Sequence, residues 1–351
     1  MKNLQSYLKK KKISYALFIQ DEIPNPNMFY FSGYGGYGAL VVPAKKPSYL
    51  LVPEMEYELA KEQVKKAKSR IKIKKLKGKL LKQIPGAKNT ALDYSSLSHS
   101  DYKQLKSKIR SKTKDISKFC QQLRETKSKD EIKKIKKACQ ITQKIIDSCI
   151  KKFNSFKTES EAAAYLVSET YKEGCKPSFD PIIASGKNSS KPHHIPQKTR
   201  INKGFCIIDY GVKYEGYCAD ITRTIYVGRP TEKEKELYSN LNKIQKDVLK
   251  RIKADIKAKD LDLSVRKQLG KLNNKFIHAL GHGIGIEVHE SPNISGKSKE
   301  KLEQNSVLAI EPAIYLKGRF GIRIEDDVLV GKDKGILISK PSNKLKILSK
   351  K

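Results

Sequence analysis

Two runs rich in β-branched and aromatic residues, Phe205–Val212 and Tyr217–Val227, each carry one aspartate, Asp209 and Asp220. Only Lys213-Tyr214-Glu215-Gly216 separates them, so the runs read as a β-hairpin. With Tyr214 and Glu215 as a two-residue turn, Lys213 pairs with Gly216 and Asp209 falls directly opposite Asp220. Facing residues in such a ladder have Cβ atoms about 5 Å apart, and like charges there repel. The hairpin therefore folds with both aspartates inside only if a cation or a shared proton relieves them. Otherwise one or both lie at a solvated edge.

A second pair of acids has a similar relation. Glu311 closes the strand-like Val307-Leu308-Ala309-Ile310, and Glu325 follows Ile322-Arg323-Ile324. Gly318 to Gly321 read as a turn, and both glutamates are equidistant from position 318, so an antiparallel return would bring them together; otherwise they are an exposed carboxylate pair. Arg323 and Glu325 are two apart and share a strand face. Five of the six histidines fall in two stretches, His193-His194 and His278 to His289, with only His99 elsewhere. His278 and His282 have the four-residue spacing of a helical metal motif, but Gly281, Gly283 and Gly285 argue against a helix there. Three histidines threaded by glycines point to a site. Two Asp, two Glu and one His make a mostly oxygen donor set, suited to manganese, cobalt, iron or zinc and poorly suited to a thiolate-loving ion.

The remainder of the chain bounds the setting. With 351 residues the chain is long enough for roughly two domains and a core that needs no disulfide. The six cysteines include no CxxC pair and read as reduced thiols. No apolar run is long enough for a membrane helix. Lys9–Lys12 followed by Ile13–Ile19 is too short and too soon acidic for a signal peptide, which predicts a first strand in a cytoplasmic protein. The formal net charge is +36, with 73 basic residues against 37 acidic. Such a balance favours a polyanion partner, but the excess is spread along the chain and only ten of the basic residues are arginine. Ile71-Lys72-Ile73-Lys74, inside the densest basic run, alternates like a half-buried strand with a solvated lysine face. A lysine-rich surface without nucleic-acid binding is the simpler reading.

The texture changes near residues 118–124, which predicts an N-terminal domain over 1–118 and a second over 119–351. The first alternates strands (Ile13–Ile19, Gly38–Val42, Ser48–Pro53) with helical stretches such as 53–68. The second opens with a long amphipathic helix carrying Ile132, Ile135, Ala138, Ile141, Ile145 and Cys149 at helical spacing. Helices over Glu159–Tyr171, Thr231 to about Ala254 and Leu263–Asn273 follow, with β-rich segments between them and at the end.

In this order the acids and histidine resemble the metallopeptidases of the pita-bread fold, within them the Xaa-Pro dipeptidase (prolidase) and Xaa-Pro aminopeptidase branch. The matching pieces are Ile183-Ala184-Ser185-Gly186, Pro192-His193 with Pro196, Asp209-Tyr210-Gly211, and Asp220-Ile221-Thr222-Arg223-Thr224. They continue with Gly281-His282-Gly283-Ile284-Gly285, His289-Glu290, Glu311-Pro312 with Tyr315, and Gly321-Ile322-Arg323-Ile324-Glu325-Asp326. Asn27-Met28-Phe29-Tyr30-Phe31-Ser32-Gly33 resembles the small first domain of the same branch. The chain departs at Ala313, where the family usually has glycine, and at His194, where glycine commonly follows the first histidine.

The resemblance implies an α+β fold, a small α/β N-terminal domain followed by a pita-bread catalytic domain. It implies that Asp209, Asp220, His282, Glu311 and Glu325 hold two divalent ions, with Asp209 and Glu325 bridging. Manganese or cobalt comes first, with zinc and iron as alternatives. Glu311 is then the proton shuttle from the attacking water to the leaving proline nitrogen. His193 and His289 position the substrate and stabilise the oxyanion, and His278 and Tyr315 border the substrate pocket. Arg323 reaches the site to fork a carboxylate, and Thr222 backs Asp220. Expected substrates are Xaa-Pro dipeptides or short peptides with proline second, cleaved by a homodimer. The alternatives are an Xaa-Pro aminopeptidase on longer peptides and, more distantly, a non-catalytic binding protein with polyanion affinity.

Overall fold

The computed structural model describes residues 1–109, 111–341 and 344–349. The chain divides into two compact units, Met1–Arg124 and Glu125–Lys351.

The N-terminal unit alternates helices and strands in the order α1 (Lys2–Lys10), β1 (Tyr15–Gln20), α2 (Pro26–Ser32), β2 (Gly38–Pro43), β3 (Tyr49–Val52) and α3 (Tyr57–Lys66). It continues with β4 (Lys72–Lys75), α4 (Leu80–Gln83), β5 (Asn89–Leu92), α5 (His99–Ile109), β6 (Lys112–Asp115) and α6 (Ser117–Glu125). Its six strands form one mixed sheet, β4-β3-β2-β1-β5-β6. Residues alternate across β1: Ala16 and Phe18 enter one core with Leu4, Met28 and Val64, and Tyr15 and Leu17 enter another with Leu105 and Ile109. Both faces of the sheet are covered, and its central strands β1, β2 and β3 are mostly apolar. The amphipathic α6 buries Cys120 in the first of these cores, and Phe119 stacks on Tyr7. Six residues expected in the second domain therefore belong to the first, and the boundary falls after Arg124, not after residue 118.

The second unit opens with α7 (Lys129–Lys152), whose start is fixed by a capping box between Ser128 and Glu131. Next come α8 (Glu159–Lys172), β7 (Lys176–Pro177), β8 (Ile182–Ser185), β9 (Gly204–Tyr210), β10 (Val212–Tyr214), β11 (Tyr217–Cys218) and β12 (Ile221–Val227). α9 (Glu232–Arg251) and α10 (Ala258–Leu269) precede β13 (Gly281–Gly283), β14 (Glu290–Ile294), β15 (Val307–Ile310), β16 (Ala313–Leu316), β17 (Phe320–Arg323), β18 (Asp326–Val330), β19 (Gly335–Leu337) and β20 (Lys346–Leu348). α10 starts and ends earlier than expected; Gly270 at φ 54° ends it, and a 3-10 turn covers Gly270–Lys275. A four-stranded sheet, β20-β12-β9-β8, and a five-stranded sheet, β14-β13-β15-β18-β19, share one core with α9 and α10 through Phe205, Ile207, Leu241, Val248, Leu308 and Val328. All six cysteines are free and buried. Among the described residues no helix is long and apolar enough to cross a membrane.

Candidate metal centre

The β9–β12 hairpin places both aspartates, in a register different from the expected one. Its turn residues are Glu215 (φ 46°) and Gly216 (φ 87°), and Tyr214 pairs with Tyr217. A two-residue turn of this type needs left-handed backbone at both central positions, and glycine meets that need at the second. The turn sits one residue later than the spacing implied, so Asp209 pairs with Thr222 and not with Asp220. The slide is two residues, which preserves the side-chain face. Asp209 and Asp220 remain diagonal neighbours on one surface.

Glu311 and Glu325 meet as the symmetric return predicts. Ile310 pairs with Asp326 and Ala313 with Arg323. Both ladders turn about Gly318, and the two glutamates face each other in the step between them. β13 runs between β14 and β15 and carries His282 into the same region. A Cβ on Gly281 would lie 2.0 Å from the Ala309 carbonyl oxygen, and one on Gly283 2.1 Å from that of Ser291. The strand is pressed so closely by its neighbours that only glycine flanks the histidine.

Asp220, His282 and Glu325 bring ligand atoms within 4.8 Å of one another. His282 Nε2 lies 3.8 Å from both Asp220 and Glu311. Its Nδ1 faces the Gly283 carbonyl at 3.1 Å. With the proton on that side, Nε2 presents a lone pair to the acids. Burial lowers the His282 ring to about 4. Burial and the surrounding carboxylates push Asp220 and Glu325 well above the ordinary carboxyl range. Burial pushes Glu311 up to about 8, against the pull of Arg323. Asp209 Oδ1 and Asp220 Oδ1 are buried and meet no donor among the described residues. Crowded acids, orphaned oxygens and a neutral imidazole fit divalent cations.

Arg323 reaches a carboxylate, one of the protein's own, and Thr222 takes a different partner from the one expected. The carboxylate that Arg323 meets is Asp209, at 2.6 Å; the same guanidinium bonds the Tyr315 hydroxyl at 2.6 Å, Thr222 Oγ1 at 3.1 Å and the Pro192 carbonyl at 3.2 Å. With these four bonds it ties the site together. Thr222 donates to Glu325 at 2.6 Å, not to Asp220, because its hydroxyl points across the strand gap. What backs Asp220 is Asp327, which accepts from the Asp220 N–H at 3.1 Å and from the Cys139 thiol at 3.1 Å. Arg223 clamps the Glu325 carbonyl at 2.6 Å and the Asp326 carboxylate at 2.9 Å. Sequence reasoning missed these supports, although three consecutive acids leading into a fully buried strand were a signal.

His278, His289 and His193 lie near the acids. His278 Nδ1 faces the Ala279 carbonyl at 2.8 Å and its Nε2 the Tyr315 hydroxyl at 3.2 Å; burial holds it near 4, a neutral ring. The His289 ring is 4.3 Å from that of His282. Its loop is braced by Glu290, which accepts from Ile286 N–H at 3.0 Å and meets Lys127 at 3.2 Å, with both side chains nearly inaccessible. His193 is exposed and near enough to both His278 and His289 to depress their protonation.

Residues 133–332 match metallopeptidase family M24, and residues 1–126 match the creatinase/prolidase N-terminal domain. The chain belongs to metallopeptidase family M24. An Xaa-Pro dipeptidase of Pyrococcus horikoshii is 37% identical to it over 98% of both chains. The crystal structure of a prolidase from Pyrococcus horikoshii superposes with a TM-score of 0.90 at 35% identity, covering 98% of this chain and 99% of that one. An X-Pro aminopeptidase structure from Thermotoga maritima gives 0.85 at 31% identity, covering 97% and 99%. The M24 fold, its α+β class and its small N-terminal domain thus agree with the sequence reading.

Proposed function

We propose that this chain is a metal-dependent exopeptidase that hydrolyses the bond before proline, with Xaa-Pro dipeptides as its preferred substrates. The observation that carries the reading is the convergence of Asp209, Asp220, His282, Glu311 and Glu325 in one buried cluster, in a chain similar along its whole length to proteins named Xaa-Pro dipeptidase. These five residues would hold two divalent ions, manganese or cobalt first. Bound there, the ions supply Lewis acidity toward the scissile carbonyl and a water acidic enough to attack near neutral pH.

The chain's own residues do the rest. Glu311 would take the proton of the attacking water and pass it to the leaving proline nitrogen. His193 and His289 sit on one side of the acids and donate hydrogen bonds to the carbonyl oxygen as it gains charge. Arg323 keeps Asp209 oriented, so its role is positioning and not direct catalysis. His278 and Tyr315 close the wall of the pocket. A cytoplasmic homodimer is part of the same reading, and light scattering on the purified protein tests the dimer.

The likeness to the Thermotoga maritima X-Pro aminopeptidase favours a second reading, action on longer peptides. One assay separates the two: an Xaa-Pro dipeptide beside an Xaa-Pro-Xaa tripeptide, on chelator-stripped protein with Mn²⁺, Co²⁺ or Zn²⁺ restored. Metal-dependent cleavage of the dipeptide alone is the expected result. Preference for the tripeptide moves the assignment to the aminopeptidase, and cleavage of neither by metal-loaded protein overturns both.

A further inference from the structure

We propose that His194 and Glu159 form a buried positioning pair that fixes His193 over the reacting carbonyl; the assignment rests on the peptidase reading above. Glu159 opens α8 and its carboxylate is fully buried. Oε1 accepts from the Ser185 N–H and hydroxyl, both at 2.8 Å, and from the Asn188 amide at 3.1 Å. Oε2 meets His194 Nε2 at 2.7 Å and the Thr199 hydroxyl at 3.3 Å. One carboxylate thus ties the end of β8, the turn after it and the segment following His193. Burial alone would push Glu159 up, but the Ser185 N–H and the His194, Asn188 and Ser185 side chains hold it below the ordinary value. It is a satisfied anion, unlike the acids of the metal centre.

The geometry on either side of His193 gives the pair its use. Before it, the Pro192 carbonyl accepts from Arg323, the same guanidinium that grips Asp209. After it, His194 turns inward onto Glu159, with 3% of its side chain exposed, while His193 is exposed and near His278 and His289. Further along, Glu159 N–H donates to the Thr199 carbonyl at 3.3 Å and Ser160 N–H to that of Gln197 at 3.1 Å. His193 is therefore held between one anchor at the metal centre and one at the start of α8. A glycine at 194 would leave only the backbone half of the second anchor. A donor that must meet a developing oxyanion gains from such pre-organisation.

The test compares His194→Ala and His194→Gln, each alone and combined with His193→Ala, in metal-loaded protein acting on an Xaa-Pro dipeptide. Hydrogen exchange of residues 190–200 is followed in parallel on the metal-free protein. Alanine at 194 should lower kcat about 10-fold or more with KM and metal content little changed. Glutamine keeps an N–H donor and should restore most of the loss. In the His193→Ala background the His194→Ala change should add less than about twofold, since its effect runs through His193. Exchange in the loop should rise for alanine and not for glutamine. If alanine prevents folding, Thr199→Val loosens the same carboxylate more gently and should show the same non-additivity. Losses that multiply independently of His193 overturn the proposal, as does unchanged exchange in the alanine variant. A wild-type protein that cleaves no Xaa-Pro peptide, with the loop still loosened by alanine, overturns the substrate role together with the peptidase reading and leaves only a structural tie.

Discussion

Asp93 in the N-terminal unit and Asp220 in the second are both buried acids, yet their surroundings are opposite. Asp93 accepts from Asn27 at 2.7 Å, Ser95 at 2.6 Å and Ser96 at 3.3 Å. Asp220 has an oxygen without a donor among the described residues and is crowded by Glu325, Asp209, Asp327 and Glu311. An unpaired buried charge is costly and persists only where something compensates it. The contrast separates a satisfied acid from an unsatisfied one better than burial does. It also shows why the net charge of +36 was a poor guide: the informative charges are negative and inside.

The strongest attack on this contrast is at Glu311. Glu311→Gln keeps the size and removes the titrating group. Turnover should fall by about 10²–10⁴, while the melting temperature holds or rises because one of the crowded acids is gone. Steady-state kinetics with metal quantification reads both. Retained turnover would remove Glu311 from the proton path.

The two aspartates themselves give the next test, on metal-free protein at pH 7. Asp93→Ala leaves its donors unpaired and should cost about 1–3 kcal/mol. Asp220→Asn relieves repulsion and should stabilise the fold while lowering metal binding. Thermal unfolding with and without metal gives both signs. Destabilisation by both variants would erase the distinction between satisfied and strained acids.

A smaller effect tests whether crowded carboxyls outside the centre behave alike. Burial, with Glu300 and Glu303 nearby, raises Glu125 from 4.5 to about 7. Between these values the folded chain holds a proton that the unfolded chain has lost, so stability falls as pH rises through that window. Glu125→Gln should therefore raise the melting temperature at pH 8 and change it little at pH 4. Equal shifts at both pH values would mean that the carboxyl's charge is not the cause.

Much of the centre was legible because it follows from local spacing. Glu311 and Glu325 meet because both ladders turn about Gly318, and His282 sits in a strand because glycines flank it. The hairpin register was missed by one turn residue, since the spacing alone does not say that Gly216 takes the left-handed position. The supports were harder still. Thr222 reaches Glu325, Arg323 reaches Asp209 and Cys139 reaches Asp327 across 103, 114 and 188 residues of chain. No periodicity encodes such contacts. Likewise α6 looks like the start of the second domain until Cys120 is seen to fill the first domain's core.

The smallest expected effect concerns the feature that dominates the composition. Both outer strands of the N-terminal sheet, β4 and β6, carry exposed lysines: Lys72, Lys74 and Lys75 on one, Lys112 and Lys114 on the other. Lysines on an outer strand keep it from pairing with another chain. Lys74 Nζ also lies over the Tyr49 ring, 4.2 Å from its centre, a cation–π contact. If this is their role, charge sign matters less than charge itself. Lys72→Glu with Lys74→Glu should shift stability by no more than about 0.5 kcal/mol and leave kcat and KM unchanged. Lys72→Val with Lys74→Val should be as stable but self-associate at raised concentration, which light scattering detects. A glutamate variant that lost turnover or retention on a polyanion column would instead give the basic surface a partner, and would reopen the binding-protein reading that the buried acids argue against.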